Sequence, residues 1–331
     1  VRRGVAMRLF KNILVGVDVS RGEHFVADRL PGHTERAWQT ALRLAKLNSS
    51  RLTFLHVMQL SAETQHLIQR DTGFKRTVID LAKERLKNLV DRAGREGVVA
   101  QSRLVLGKCW VETVRQVYRD QHDLAIVGTR QFGTFKSLLL STGAKLLRKC
   151  PCAVLITKPG SATMFSSILT AYDSTDVGKA ATKVALSLSK QHDSQLHILQ
   201  PFGHSPGSGE ASTGLSPMVV PDNRVDENAW LEEQIVRAGL NNQPVIQSAE
   251  SPSYCSEVMA AIERNRIGLA VLGTEACTGF TWMFRRNIAE RLASGIPCSL
   301  LVVKPAEMLS SVSLQETTKT IDYAQETRDQ L

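Results

Sequence analysis

The chain of 331 residues is 43% hydrophobic, 22% charged and 5% aromatic, a composition that excludes collagen-like, disordered and disulfide-scaffold proteins. No apolar run approaches the roughly 18 residues of a membrane helix, so we expect no membrane insertion. The formal net charge of +9 is divided unevenly, because residues 1–160 hold 28 Lys and Arg against 13 Asp and Glu, whereas residues 161–331 hold 13 against 19.

The hydrophobic pattern of the first part of the chain predicts alternating strands and helices. The first strand is apolar throughout and ends in Asp18, as expected of a strand that is buried on both faces. Because helical segments separate the strands, we expect a parallel sheet with helices on both faces. The predicted strands are 12–18, 51–58, 99–106, 123–129 and 152–157, and the predicted helices are 34–48, 72–95, 110–121 and 136–149.

The second part of the chain repeats this alternation. Its segment 203–221 is rich in Gly, Ser and Pro, which predicts a long flexible loop. The residues after Pro305 are polar and acidic, which predicts a loosely held tail. Strands are predicted near 167–172, 195–200, 244–249, 268–273 and 298–303.

Sequence segments recur at a nearly constant offset. Residues 124–129 return at 269–274, an offset of 145, and residues 151–159 return at 297–305, an offset of 146. The opening strands match at an offset of 155, so the first copy carries 11 extra residues within 21–32. This long period predicts a duplicated domain rather than a solenoid. The predicted domains are 9–160 and 161–305, followed by the tail 306–331.

The two copies therefore lie in parts of the chain with opposite charge, +15 for residues 1–160 and −6 for residues 161–331. A basic surface that binds nucleic acid or anionic lipid is one interpretation of the first value. The basic residues are scattered rather than grouped in blocks, so we favour divergence after duplication and do not expect a nucleic-acid partner.

The six cysteines come without a recognisable secretory signal, which favours a reducing compartment and a cytoplasmic protein over a disulfide framework. Cys150-Pro-Cys152 is a close pair that lacks the second ligand pair of a zinc site, so we expect burial of Cys152 at a strand start and no metal. Cys109 at a predicted helix start is a candidate for a lowered thiol pKa, although packing is the favoured interpretation.

A doubly wound sheet binds ligands outside the carboxyl ends of its strands, where the strand order reverses. The rule indicates Asp18 and Asp173 after the first strands, and the turns that begin at Gly128 and Gly273 after the fourth strands. Backbone amides at a helix start hold phosphate, and a carboxylate accepts from an adenine amino group or a ribose hydroxyl. Turn geometry alone is the alternative explanation for these Asp and Gly residues.

The order of strand, Gly-Thr, loop, apolar helix and Pro-Cys strand resembles the universal stress protein family over residues 10–305. The tandem layout, with Leu147-Arg-Lys-Cys-Pro151, is similar to the E-type members. The resemblance implies a Rossmann-like or flavodoxin-like fold with strand order 3-2-1-4-5 and pairing through the last strand. Two fused units would pair within one chain through 152–157 and 298–303, which leaves other faces for a homodimer.

Family members that bind ATP carry a motif similar to Gly-x2-Gly-x9-Gly-Ser/Thr after the fourth strand. Two of the three glycines are replaced in the first unit, where Arg130 adds positive charge, and the second unit departs further. We therefore expect degenerate nucleotide sites, with ATP binding in the first domain as an alternative. The matching positions are Gly128, Gln131, Ser141 and Thr142 beside Asp18 in the first unit, and Gly273, Ala276, Arg286 and Asn287 beside Asp173 in the second.

Other motifs predict no enzyme. The chain lacks a Gly-x4-Gly-Lys-Ser/Thr loop and a Gly-x-Ser-x-Gly elbow, and no nucleophile, base and orienting group can be named together. His24 in the extra segment and His33 just after it are a weak metal alternative, since flexible loops rarely hold preformed ligands. The resemblance implies a non-enzymatic binding and regulatory platform in the stress response; the alternatives are a slowly hydrolysing ATP switch and a nucleic-acid binder.

Overall fold

Strands and helices alternate through both copies of the repeat. The computed structural model describes residues 9–19, 30–58, 72–129, 142–158, 165–172, 175–200, 224–249, 254–274 and 296–305. The predicted loop 203–221, the tail 306–331 and residues 21–29 of the extra segment lie outside these ranges.

The first unit contains β1 (Asn12–Gly16), α1 (Gly32–Asn48), β2 (Arg51–Met58), α2 (Thr72–Arg95), β3 (Ala100–Leu106), α3 (Cys109–Asp120), β4 (Leu124–Gly128), α4 (Thr142–Lys149) and β5 (Ala153–Thr157). The second unit contains β6 (Ser167–Ala171), α5 (Asp176–His192), β7 (Gln195–Gln200), α6 (Arg224–Ala238), β8 (Val245–Ser248), α7 (Tyr254–Arg264), β9 (Leu269–Gly273) and β10 (Ser299–Val303). No helix in the described ranges has the length and apolar character needed to cross a membrane.

All ten described strands form one sheet in the order β3-β2-β1-β4-β5-β10-β9-β6-β7-β8. Neighbouring strands within each unit are parallel. Each unit therefore has the order 3-2-1-4-5, which confirms the predicted fold. The two units meet through β5 and β10, which pair antiparallel. The predicted pairing of the last strands within the chain is also confirmed.

The pairing of β5 with β10 follows a local two-fold symmetry. Leu155 lies opposite Leu301, and these two residues occupy the same position of the repeat, at the offset of 146. The flanking pairs, Ile156 with Leu300 and Val154 with Val302, exchange positions under the same symmetry. A contact in which i meets j and j meets i is the isologous arrangement of a symmetric dimer. The duplicated chain forms such a contact with itself.

Apolar side chains cover both faces of this sheet, as parallel strands flanked by helices require. One core lies between the sheet and helices α1, α2 and α5, and includes Leu155 and Leu301. The other lies against α3, α4 and α7, and includes Val154 and Val302. Because neighbouring residues of a strand point to opposite faces, both cores run through the junction between the units.

Polar contacts add to the junction. The side-chain amides of Asn48 in α1 and Gln191 in α5 bond reciprocally, at 2.9 Å and 3.3 Å. The amine of Lys304, which follows β10, donates to the carbonyl of Leu147 in α4. Helices of one unit are thus tied to the chain of the other.

The repeat also holds at the level of single hydrogen bonds. The hydroxyl of Ser50, just after α1, donates to the carbonyl of Phe10, and that of Ser194, just after α5, donates to Phe165. Ser50 and Ser194 are offset by 144, whereas Phe10 and Phe165 are offset by 155. Residues 17–31 separate β1 from α1, and only residues 172–175 separate β6 from α5. The 11 extra residues therefore lie in the predicted connection.

Strand β1 ends two residues earlier than predicted. The ladder is regular through Gly16, and the Val17 amide still donates to the carbonyl of Leu55 at 2.9 Å. The Asp18 amide instead donates to the hydroxyl of Thr34 in α1, at 3.2 Å. A contact with a helix side chain, which local periodicity cannot show, thus ends the strand before Asp18.

His192 at the end of α5 is packed between the units. Its ring stacks on Phe165, with centroids 3.8 Å apart and an interplanar angle of 4°. The guanidinium of Arg43 in α1 lies 5.2 Å from the Phe165 ring centre. Burial, assisted by the charge of Arg43, lowers the pKa of His192 to about 4. The imidazole is therefore neutral in the folded protein near neutral pH.

This shift predicts that His192 weakens the fold in mild acid. Between pH 6.5 and 4 the unfolded chain binds a proton that the folded chain does not, so stability falls as the pH falls through this window. From pH 7 to 5 the contribution is at most about 2 kcal/mol. We expect His192→Phe, which keeps the stacked ring, to lose less stability than the wild type over this range. Urea unfolding at both pH values measures the difference, and equal losses in the two proteins would contradict the assignment.

Candidate functional site

The carboxyl edge of the first unit brings together part of the predicted site. Asp18 follows β1, Gly128 ends β4 and Thr142 begins α4. In the second unit Gly273 ends β9 at the corresponding place. The remaining predicted residues lie outside the described ranges; they are Arg130, Gln131, Ser141, Asp173, Ala276, Arg286 and Asn287.

Three side chains from separate elements hold the segment around Asp18. His56 of β2 bonds through Nδ1 to the carbonyl of the preceding residue, Val17, at 3.0 Å. Thr34 of α1 accepts from the Asp18 amide. Arg85 of α2 donates to the carbonyl of the following residue, Val19. The backbone is therefore fixed on both sides of Asp18, which is itself half-buried.

His56 is buried, with 3% of its surface exposed. Burial lowers its pKa, although the Val17 carbonyl and the Asp18 carboxylate act in the opposite direction. The ring is thus neutral near pH 7, and the bond to the Val17 carbonyl places the proton on Nδ1. Its other nitrogen, Nε2, has no hydrogen-bond partner among the described residues. A buried acceptor of this kind is uncommon in folded proteins.

The first turn of α3 contributes a thiol to the same edge. The Cys109 side chain lies within hydrogen-bonding range of the hydroxyls of Thr142 and Thr113, and it senses the charge of Asp18. Burial raises the pKa of this thiol, and the two hydroxyls only partly offset the effect. Burial outweighs the position at a helix start, which agrees with the favoured packing interpretation of Cys109 and contradicts the alternative of a lowered pKa. Cys109 is a neutral thiol at pH 7.

Gly128 and Gly273 share one structural role. A Cβ on Gly128 would lie 2.0 Å from the carbonyl oxygen of His33 in the first turn of α1. A Cβ on Gly273 would lie 2.8 Å from the main chain of Val177 in the first turn of α5. His33 and Val177 are themselves equivalent at the offset of 144. Both glycines are thus required where a helix packs closely on the end of the fourth strand.

The two units differ around the first strand. The positions equivalent to Thr34 and His56 hold Gly178 and Gln200. In the second unit the first turn of α5 is capped by a side chain, since the Gly178 amide donates to the hydroxyl of Thr175 at 3.0 Å. Sequence reasoning missed the roles of Thr34, His56 and Arg85. Aligning the two repeats at the offset of 144 would have indicated Thr34 and His56, because the second unit has different residues at these positions.

Known proteins match the chain over nearly its full length. The model of the universal stress protein family matches residues 9–158 and again 164–304. Universal stress protein E of Salmonella typhi is 22% identical over 327 residues, which covers 94% of this chain and 99% of that protein. The crystal structure of a universal stress protein from Archaeoglobus fulgidus DSM 4304 superposes with a TM-score of 0.64 at 19% identity, over 88% of this chain and 98% of that one.

The fold and the two family matches define a tandem α/β protein in which one domain type occurs twice. The chain belongs to the universal stress protein family, and it is similar to the tandem E-type members over 94% of its length.

The close approach at Gly128 predicts a strong effect of one methyl group. We expect Gly128→Ala to destabilise the protein by about 1–3 kcal/mol, because the added Cβ meets main-chain atoms that cannot move independently of α1. Guanidinium unfolding measures the loss. The control is Gly94→Ala in α2, where an added Cβ meets nothing within 4 Å, so helix propensity makes that change neutral or stabilising. Equal stability of the two variants would contradict the packing role of Gly128.

Proposed function

We propose that the chain is a non-enzymatic regulatory protein of the stress response, a binding platform whose nucleotide positions are degenerate. The observation that carries the proposal is the matched packing of α1 on Gly128 and of α5 on Gly273. Glycine at these positions is explained by the fold itself, so it is not by itself a sign of a phosphate cradle. The other two glycines of the ATP-binding pattern are replaced in both units.

The chemistry of the described edge supports a binding role over catalysis. The Cys109 thiol is kept protonated by burial, and it lies against the hydroxyl of Thr142. A nucleophile needs a lowered pKa or an adjacent base, and His56 is instead bonded to the Val17 carbonyl. These polar groups position the backbone around Asp18.

The platform would act through surfaces left open by the fused sheet. Since β5 and β10 pair within the chain, a homodimer would use other surfaces, and strands β3 and β8 stand at the two ends of the sheet. A partner that binds one conformation better shifts the population toward it. We also propose a cytoplasmic location, consistent with the free thiols of the five described cysteines.

An ATP-binding switch in the first unit, at most slowly hydrolysing, is the second candidate. It is favoured by the three-sided support of the segment around Asp18, from His56, Thr34 and Arg85. These contacts fix the main chain that carries the Asp18 carboxylate, and a carboxylate suits recognition of an amino or hydroxyl group. The unpaired Nε2 of His56 among the described residues is a further acceptor in this region.

Binding of nucleic acid is less well supported. Arg85 of α2 donates to the Val19 carbonyl. Arg92 of the same helix bonds to Glu35 at 2.9 Å and lies 4.0 Å from the ring centre of Trp38. These two arginines of α2 are thus engaged within the protein, which reduces the charge available for phosphates.

Titration of ATP into the purified full-length protein, followed by calorimetry, tests the proposal. We expect no saturable binding in the micromolar range. Asp18→Ala removes the candidate carboxylate, and Asp91→Ala, at an exposed position of α2, is the matched control.

Micromolar binding by the wild type and Asp91→Ala that is lost in Asp18→Ala would overturn the proposal in favour of the ATP switch. Micromolar binding that survives in Asp18→Ala would also contradict degenerate sites, and would indicate a nucleotide site elsewhere in the chain.

A further inference from the structure

Two cysteines lie side by side where α4 leads into β5. The chain bends at Pro151 and Cys152, and the sulfur atoms of Cys150 and Cys152 are 3.6 Å apart, within range of a hydrogen bond between thiols. Cys150 is fully buried, whereas Cys152 is partly exposed. The two thiols are thus in contact, and one of the two residues is partly exposed.

A lysine of the second unit lies beside this pair. The antiparallel register of β5 and β10 carries Lys304, just after β10, to the start of β5. A hydrogen bond from Cys152 and the charge of Lys304 lower the pKa of Cys150, against the effect of burial. Cys152 holds the shared proton, which together with burial raises its own pKa. Of the two thiols, Cys150 therefore loses its proton more readily.

The second unit provides an internal comparison. Cys298 occupies the position of Cys152, but Ile296 stands where the first unit has Cys150. Burial raises the pKa of Cys298 to about 12, although Lys158 favours the thiolate. The same place in the fold therefore holds an inert single thiol in one unit and a thiol pair in the other.

We propose that Cys150 and Cys152 are a redox-active dithiol, which hydrogen peroxide oxidises to a disulfide at the junction between the units. The inference does not depend on the proposed binding function. Peroxide is the oxidant that fits, because it is small and the Cys150 sulfur that it must reach belongs to a buried residue.

The reaction balances in two steps. The Cys150 thiolate attacks one peroxide oxygen, so that an S–O bond forms, the O–O bond breaks and hydroxide leaves with a proton as water. The Cys152 sulfur then attacks the resulting sulfenic acid, an S–S bond forms, and the S–O bond breaks to release a second water. In total two thiols and one peroxide give one disulfide and two waters, with two electrons taken from the sulfurs.

The geometry allows this closure. A disulfide bond is about 2 Å long, so the sulfurs must approach each other by roughly 1.6 Å. Rotation of the two side chains about their Cα–Cβ bonds moves the sulfurs over distances of this size. Closure uses the Cys150 sulfur, whose pKa is lowered in part by the charge of Lys304, and Lys304 is bonded to the Leu147 carbonyl across the junction. The redox state of the pair is therefore coupled to a contact between the units.

Peptide mapping of the full-length protein tests the proposal. The reduced protein is treated with a small molar excess of hydrogen peroxide, unfolded, alkylated with N-ethylmaleimide and digested with trypsin, which cleaves after Lys149. We expect the peptide that begins at Cys150 to lose two hydrogens and to take up no maleimide. If the peroxide-treated protein is reduced with dithiothreitol before alkylation, the same peptide should take up two maleimides.

Two variants separate the pair from general oxidation. In Cys150→Ala the same peptide should keep one maleimide, whereas Cys298→Ala should still form the disulfide. Two maleimides on the treated wild-type peptide would overturn the proposal, as would loss of the maleimide in Cys150→Ala. If Cys150→Ala does not fold, Cys152→Ala provides the same comparison, and the wild-type measurement decides without any variant.

Discussion

The antiparallel pairing of β5 with β10 is the contact on which the rest of the structure depends. Without it each unit would expose a strand whose side chains are apolar on both faces, an edge prone to association with other chains. With it both cores continue from one unit into the other. The local two-fold symmetry at Leu155 and Leu301 follows directly from duplication, because the same strand meets its own copy.

Duplication kept the scaffold and changed the polar residues around it. In each unit the hydroxyl of a serine after the first helix, Ser50 or Ser194, donates to a carbonyl just before the first strand. The first helix of each unit also packs on an equivalent glycine, Gly128 or Gly273. The residues that fix the segment around Asp18 belong to the first unit, as does the thiol pair of Cys150 and Cys152. The polar groups with specific chemistry thus lie in the first unit. The net charges of +15 and −6 follow the same divergence.

Much of the fold could be predicted, because hydrophobic runs and repeat offsets are local signals. Strands β2 and β7 and helix α2 have the predicted bounds. The order 3-2-1-4-5 needed the family resemblance, since periodicity does not say which strands are neighbours. The site was less predictable: Asp18 is visible as the end of an apolar run, but His56 and Arg85 reach it from distant elements. Cys-Pro-Cys is visible in the sequence, while Lys304, 152 residues beyond Cys152, is brought beside it only by the β5–β10 pairing.

Amide hydrogen exchange across the sheet tests the central claim most directly. If β5 and β10 are interior strands of one sheet, peptides covering them should exchange as slowly as those of β1 and β4, because their amides open only with global unfolding. The end strands β3 and β8 should exchange faster. Exchange of β5 and β10 at the rate of the end strands would contradict the account, since it would show two units that are not joined through their last strands.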